Sequence, residues 1–180
     1  MFKFKNSKQK GFTLLELLVV IGIIGLLASI IVVNLTGARK RARDTKRVAD
    51  VRNIQTASED YYGKNGQYPA TIGGLVTGTQ LPMWPLDPLA PSGGAPCAAN
   101  SDLCYWYASF TPSGASGPQS YHVGASLEDQ GSMLLNQDRD CVSTAGTNCP
   151  YPSAYTNGFT GADGNGCGGA VSRYCYDIAQ

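Results

Sequence analysis

Gly11 and Glu16 carry the chemistry most restricted by its spacing: a glycine closing a lysine-bearing leader, and one carboxylate inside an otherwise apolar run. From Phe12 to Leu35, 24 residues have Glu16 as their only charge. Coiled as helix at 1.5 Å per residue, the run is about 36 Å long, enough to span a bilayer with some tilt. An isolated ionised carboxylate in hydrocarbon is penalised by at least roughly 2.5 kcal/mol, so Glu16 needs a partner. Cleavage after Gly11 supplies one, because it exposes a cationic α-amine on Phe12 that can meet the Glu16 of a neighbouring chain in a bundle. Ordinary secretory signals are cut after their apolar core. A cut after Gly11 would precede it, so the helix would stay with the mature protein.

The second reactive set is Cys97, Cys104, Cys141, Cys149, Cys167 and Cys175, all beyond the first 96 residues. An even count confined to an extracytoplasmic part reads as disulfides. Their grouping in close pairs favours local bridges 97 to 104, 141 to 149 and 167 to 175. Zinc is the competing reading, but there is no Cys-x-x-Cys and no zinc-module spacing. His122, the only histidine, falls in a strand-like segment. With no Gly-x-Ser-x-Gly and no phosphate-binding glycine loop, no enzyme activity is expected.

The elements that must position these residues follow from periodicity. Val48, Val51, Ile54, Ser58 and Tyr61 recur at three- and four-residue intervals, and no proline lies between Phe12 and Tyr68. The spacing predicts one helix from Phe12 to near Gly63, amphipathic in its outer half, stopped by Asn65-Gly66. Residues 69–96, rich in proline and glycine, read as loop. Leu103 to Phe110 and Ser120 to Leu127 read as an antiparallel hairpin, with Tyr105, Tyr107 and Tyr121 candidates for burial against the helix. From Gly131 onward the composition predicts disulfide-held loops, with Tyr174-Cys175-Tyr176 as a last strand.

Charge divides along the chain. Residues 39–52 hold seven basic residues against Asp44 and Asp50, whereas residues 53–180 hold three basic and ten acidic. A basic neck and an acidic head suit packing of like subunits. Arg39, Lys40, Arg41, Arg43, Lys46, Arg47 and Arg52 also suit nucleic-acid phosphates, but a basic segment just beyond a membrane helix more simply meets anionic lipid headgroups.

Gly11 followed by Phe12-Thr13-Leu14-Leu15-Glu16-Leu17 resembles the prepilin cleavage motif of type IV pilins and type II secretion pseudopilins. The likeness to major pseudopilins runs on through Asp50 to Tyr62, Gly66-Gln67-Tyr68-Pro69 and Gly74-Leu75. It departs at Leu89-Ala90, where those proteins commonly carry Trp-Gly, and at Val33, where many pilins have a helix-kinking proline. The resemblance implies an α+β, pilin-like fold, with a long N-terminal helix packed on a small antiparallel sheet. Its divisions are a cleaved leader (1–11), a transmembrane and filament-core helix (12–35), an amphipathic continuation (36–64) and an exported head (65–180).

It further implies cleavage between Gly11 and Phe12 by a prepilin peptidase, N-methylation of Phe12, subunit docking through Glu16 and an inner-membrane assembly platform as partner. The product is a single-pass precursor in the cytoplasmic membrane and then an extracytoplasmic filament. Major pseudopilins often bind calcium in an acidic, glycine-rich loop, and Asp163, Asn165 and Asp177 are the corresponding oxygen donors. The segment is no EF-hand, since Tyr174 stands where the closing glutamate belongs. The rival reading from another class is a monomeric membrane-anchored protein whose head binds a ligand.

Overall fold

The structure, a computed structural model, describes residues 11–90, 103–162, 164–169 and 173–180, with the backbone alone for residues 30–34. The chain divides into two compact units, Met1–Arg39 and Lys40–Gln180. Helix α1, Leu14–Asn65, contributes to both.

In the first unit α1 starts two residues later than the periodicity suggests, because Thr13 is its N-cap. Thr13 Oγ1 accepts the Glu16 backbone N–H at 3.2 Å, and Glu16 Oε2 accepts the Thr13 backbone N–H at 2.8 Å. This reciprocal capping box satisfies two donors that a helix start otherwise leaves unpaired. The apolar side chains that follow lie open, from Phe12 at 92% and Leu14 at 81% to Leu26 at 68% exposed. Among the described residues no helix is long and apolar enough to cross a membrane. The span predicted over 12–35 includes residues 30–34, whose side chains fall outside that set.

In the second unit the remainder of α1 buries Val48, Val51, Ile54, Ala57 and Ser58, the stripe that the three- and four-residue spacing marks out. The helix ends at Asn65, whose side-chain amide donates to Tyr61 O at 2.8 Å, and Gly66 turns the chain away at φ +70°. Only a residue without Cβ takes that conformation cheaply. The segment expected to be loop contains a short helix, α2 (Gly73–Thr77), because Leu75 plugs the core with no exposure.

The stripe packs on a sheet of three antiparallel strands, β1 (Tyr105–Phe110), β2 (Ser120–Leu127) and β3 (Tyr174–Ala179), in the order β1-β2-β3. Tyr107 faces Val123 across the hairpin, and Ala125 faces Tyr176 on the other side. Tyr105, Tyr107, Tyr121, Val123, Ala125, Leu127 and Tyr176 form the helix-side core. Strand alternation sends His122, Gly124 and Ser126 to the opposite face.

That face is covered as well. The loops after Asp138 form a layer in which Tyr155, Phe159 and Cys167 pack with Ala108 and Cys175, and every residue of β2 is buried. Ser109 and Thr156 exchange backbone hydrogen bonds at 3.2 and 2.8 Å, tying the layer to β1. Disulfides Cys141–Cys149 and Cys167–Cys175 hold it, each as the sequence grouping predicts. Cys104 is also disulfide-bonded. Cys97 lies outside the described residues.

At Gly124 layer and sheet approach closely. A Cβ there would stand 2.8 Å from Phe159 Cε2 and 3.0 Å from Cys167 Sγ. Gly124→Val is expected to lower unfolding stability by about 1–3 kcal/mol through overpacking. Thermal unfolding of the oxidised protein checks this, and an unchanged midpoint would mean that the layer is loosely apposed.

Candidate functional site

Gly11, Phe12 and Glu16 lie at the start of α1. Gly11 and Phe12 are exposed, so the bond between them is accessible. Besides its bond to the Thr13 amide, Glu16 Oε2 accepts from Thr13 Oγ1 at 2.9 Å. The carboxylate therefore sits at the N-terminus of its own helix, where unpaired N–H groups and the helix dipole favour negative charge. The docking assignment of Glu16 overlooks Thr13, although Thr-x-x-Glu ahead of an apolar run is the sequence signature of a capping box.

The basic neck is organised by burial. Arg47 has no exposed surface and is surrounded by carboxylates: Nε and Nη2 donate to the two Asp87 oxygens at 2.6 and 3.0 Å, and Nη1 donates to Asp44 at 2.7 Å and Glu128 at 2.6 Å. Burial acts to lower the guanidinium pKa, but the hydrogen bonds it donates to three carboxylates outweigh this and raise the pKa above its ordinary value. Arg43 grips the same Glu128 with two bonds at 2.8 and 2.6 Å. Hydrogen bonding from Arg43 and then Arg47 holds Glu128 at about 2, against the partial desolvation that raises it. Asp44 also accepts the backbone N–H groups of Glu128 and Asp129 at 3.0 to 3.1 Å. One arginine thus ties α1 to the loop at Asp87 and to the end of β2.

This changes the reading of the basic segment. Arg43 and Arg47 serve the head's own carboxylates, Lys46 pairs with Asp50 at 2.6 Å, and Arg41 reaches Asp129 at 3.4 Å. Among the described residues, Arg39, Lys40 and Arg52 make no ion pair. Spacing along a helix does not show which cations a distant loop will claim.

A second polar set lies on the outer face of the sheet. His122 Nε2 is 2.8 Å from Asp177 Oδ2, and Nδ1 is 2.7 Å from Ser143 Oγ, with all three residues fully buried. Asp177 also accepts the backbone N–H groups of Asp140 and Cys141 at 2.9 and 3.0 Å, so Nε2 carries the proton. Burial lowers the His122 pKa more than Asp177 raises it, which keeps the ring neutral. Serine, histidine and aspartate meet here in a sealed position, with Ser143 Oγ also engaged by the Phe159 backbone at 2.9 and 3.1 Å. The arrangement joins β2, β3 and the layer, and it offers no access to a substrate. Cys141 Sγ lies with His122 and Asp177 in one cluster of metal-ligating residue types, but that sulfur is committed to Cys149. Of the suggested calcium donors, Asp177 is engaged by His122, Asn165 is exposed and Asp163 lies outside the described residues.

The fold is a pilin-like α+β fold: a long N-terminal helix whose outer part packs on a three-stranded antiparallel sheet, with disulfide-held loops. A model of the prokaryotic N-terminal methylation motif matches residues 6–32. The chain is 46% identical to the type II secretion system core protein G of Escherichia coli strain K12 over 85 residues, covering 47% of this chain and 57% of that protein. The Dickeya chrysanthemi core protein G is 41% identical over 83 residues, covering 46% and 54%. The type IV wide pilus major component PilA4 of Thermus thermophilus is 43% identical over 68 residues, covering 38% and 52%. The chain spans about half the length of the curated relatives it matches. No solved structure matches. Motif, relatives and fold together make the chain similar to type IV pilins and type II secretion pseudopilins, the sequence likeness lying in part of the chain.

Arg47→Ala leaves Asp44, Asp87 and Glu128 without their shared cation and is expected to cost about 3–5 kcal/mol in urea unfolding. Glu128 has a folded pKa below its unfolded value. Its contribution is therefore present above the ordinary pKa of 4.5 and lost as pH falls toward about 2. Across that window the stability of Glu128→Gln is expected to fall less steeply than that of the parent. Parallel slopes would show that Glu128 is not the coupled group.

Proposed function

We propose that the protein is a structural subunit of a type IV pilus or type II secretion pseudopilus, cleaved between Gly11 and Phe12 and polymerised through the first part of α1. The observation that carries this reading is the docking segment: an exposed cleavage bond, Glu16 held by Thr13 at the helix start, and a continuous set of open apolar side chains behind it. A contiguous apolar surface of that extent marks an interaction site, and in this reading lipid covers it before assembly and like helices cover it afterwards. After cleavage the Phe12 amine of one subunit meets the Glu16 of another, which sets the axial register of the polymer.

The precursor is anchored in the cytoplasmic membrane by residues 12–35, with the head on the extracytoplasmic side, where its disulfides form. Prepilin peptidase, an inner-membrane assembly platform and further copies of the chain are its partners, and Arg39, Lys40 and Arg52 are free to meet lipid headgroups. The sealed His122 set and the structural roles named for the relatives support a subunit without enzymatic activity.

Intact-mass and N-terminal analysis of protein from assembling cells is expected to give a chain starting at N-methylated Phe12. Glu16→Ala is expected to be cleaved normally and to reach the membrane, yet to be missing from sheared filaments. Normal incorporation of that variant would favour the membrane-anchored monomer instead.

A further inference from the structure

Asparagine precedes glycine three times, at Asn65-Gly66, Asn157-Gly158 and Asn165-Gly166. This dipeptide can modify itself. The glycine has no Cβ to shield its backbone nitrogen, so that nitrogen can reach the side-chain carbonyl carbon of the asparagine and close a five-membered ring. Two local features decide whether it does. The glycine N–H must not be spent on an acceptor, and the asparagine amide must be free to turn. The three sites share one dipeptide and differ in both features.

At Asn65 both groups are held. Gly66 N–H donates to Tyr62 O at 2.7 Å, and the Asn65 amide nitrogen, which has to leave, donates to Tyr61 O at 2.8 Å. At Asn157 the Gly158 N–H donates to Tyr155 O at 3.2 Å, and the backbone is pressed on Ser143: a Cβ on Gly158 would stand 2.6 Å from Ser143 O. At Asn165 neither restraint is present. Among the described residues, its side-chain amide and the Gly166 N–H have no hydrogen-bond partner. Asn165 is exposed, so water reaches it, whereas Gly166 is buried. A buried N–H without an acceptor is uncommon, and here nothing holds it back from the neighbouring side chain.

We infer that Asn165 is a site of spontaneous intramolecular deamidation in the folded protein. The Gly166 nitrogen gives its proton to hydroxide and bonds to Asn165 Cγ. The bond from Cγ to the amide nitrogen breaks, and that nitrogen takes a proton from water and leaves as ammonia. Water then opens the cyclic imide. Addition at Cγ gives aspartate, and addition at the main-chain carbonyl carbon gives isoaspartate, in which the chain runs through the former side chain. Both products place a new negative charge on the loop just before the Cys167–Cys175 disulfide. The isoaspartate also displaces the Asn165 carbonyl that accepts the Cys175 N–H at 2.9 Å, which loosens the loop's hold on the start of β3.

The test incubates the full, oxidised chain in detergent micelles at mildly alkaline pH and follows each asparagine by peptide mass spectrometry. Labelling with an isoaspartyl methyltransferase separates the two products. Asn165 is expected to convert roughly fivefold to tenfold faster than Asn65 or Asn157, the ratio set by one hydrogen bond that must be broken first. In the reduced, urea-unfolded chain the three rates are expected to draw together, since the dipeptide is the same. Conversion at Asn165 no faster than at the other two in the folded protein overturns the assignment. So does a lead for Asn165 that persists after unfolding, because the flanking sequence rather than the fold would then set it.

Discussion

β2 must be buried on both faces, and most of the head is arranged around that requirement. An antiparallel sheet of three strands ordinarily packs one face on a helix and shows the other to water. Here the helix covers Tyr121, Val123, Ala125 and Leu127, while the loops after Asp138 cover His122, Gly124 and Ser126. The loop layer has little regular structure, so its backbone cannot be satisfied by a ladder alone. The Ser109–Thr156 bridge and the Cys167–Cys175 disulfide hold it against the sheet, while the bridges of Val142 to Thr147 and Thr160 and the Cys141–Cys149 disulfide hold it together internally. The small residue at 124 and the polar triad at His122 are consequences of closing that second interface without a void or an unpaired polar group.

Charge is handled in two ways at two places along α1. At Glu16 the carboxylate is satisfied locally, by a hydroxyl and an amide three residues away, and remains exposed. At Arg47 the cation is withdrawn from solvent and satisfied by groups from distant parts of the chain. A buried arginine of this kind is weak evidence for added stability, because desolvation offsets much of the Coulomb attraction. Its geometric effect is clear, since the directional guanidinium aligns Asp87 and Glu128 against one helix face. The loop bearing Asp87 is thereby held in place along with Pro85, Leu86 and Pro88, which gives that surface a defined shape.

The division of the basic neck links packing to function. Cations that look equivalent along the helix separate into internal clamps and free surface groups, according to which ones face the head's acidic loops. The surface left for lipid or phosphate is smaller than the charge count indicates. The apolar segment ahead of it remains open in the single chain, and a contiguous apolar surface of that extent marks an interaction site.

Local features were legible from residue order. The helix stripe through Val48 and Ile54, the Asn65-Gly66 stop, the hairpin and the close cysteine pairs all depend on neighbours within a few residues, as does the capping pattern at Thr13 and Glu16 that the docking assignment passed over. Their physics of periodicity, caps and short loops is written along the chain. Periodicity did not disclose α2, because a five-residue helix held by one buried leucine has too few turns to leave a stripe. The contacts of Arg47 with Asp87 and Glu128, of His122 with Ser143 and Asp177, and of Gly124 with Phe159 were decided only by the tertiary structure. Each joins residues between 21 and 81 positions apart. Such partners are chosen by strand register and by which loop covers which face, and these are settled by burial of the whole core rather than by any single stretch of sequence.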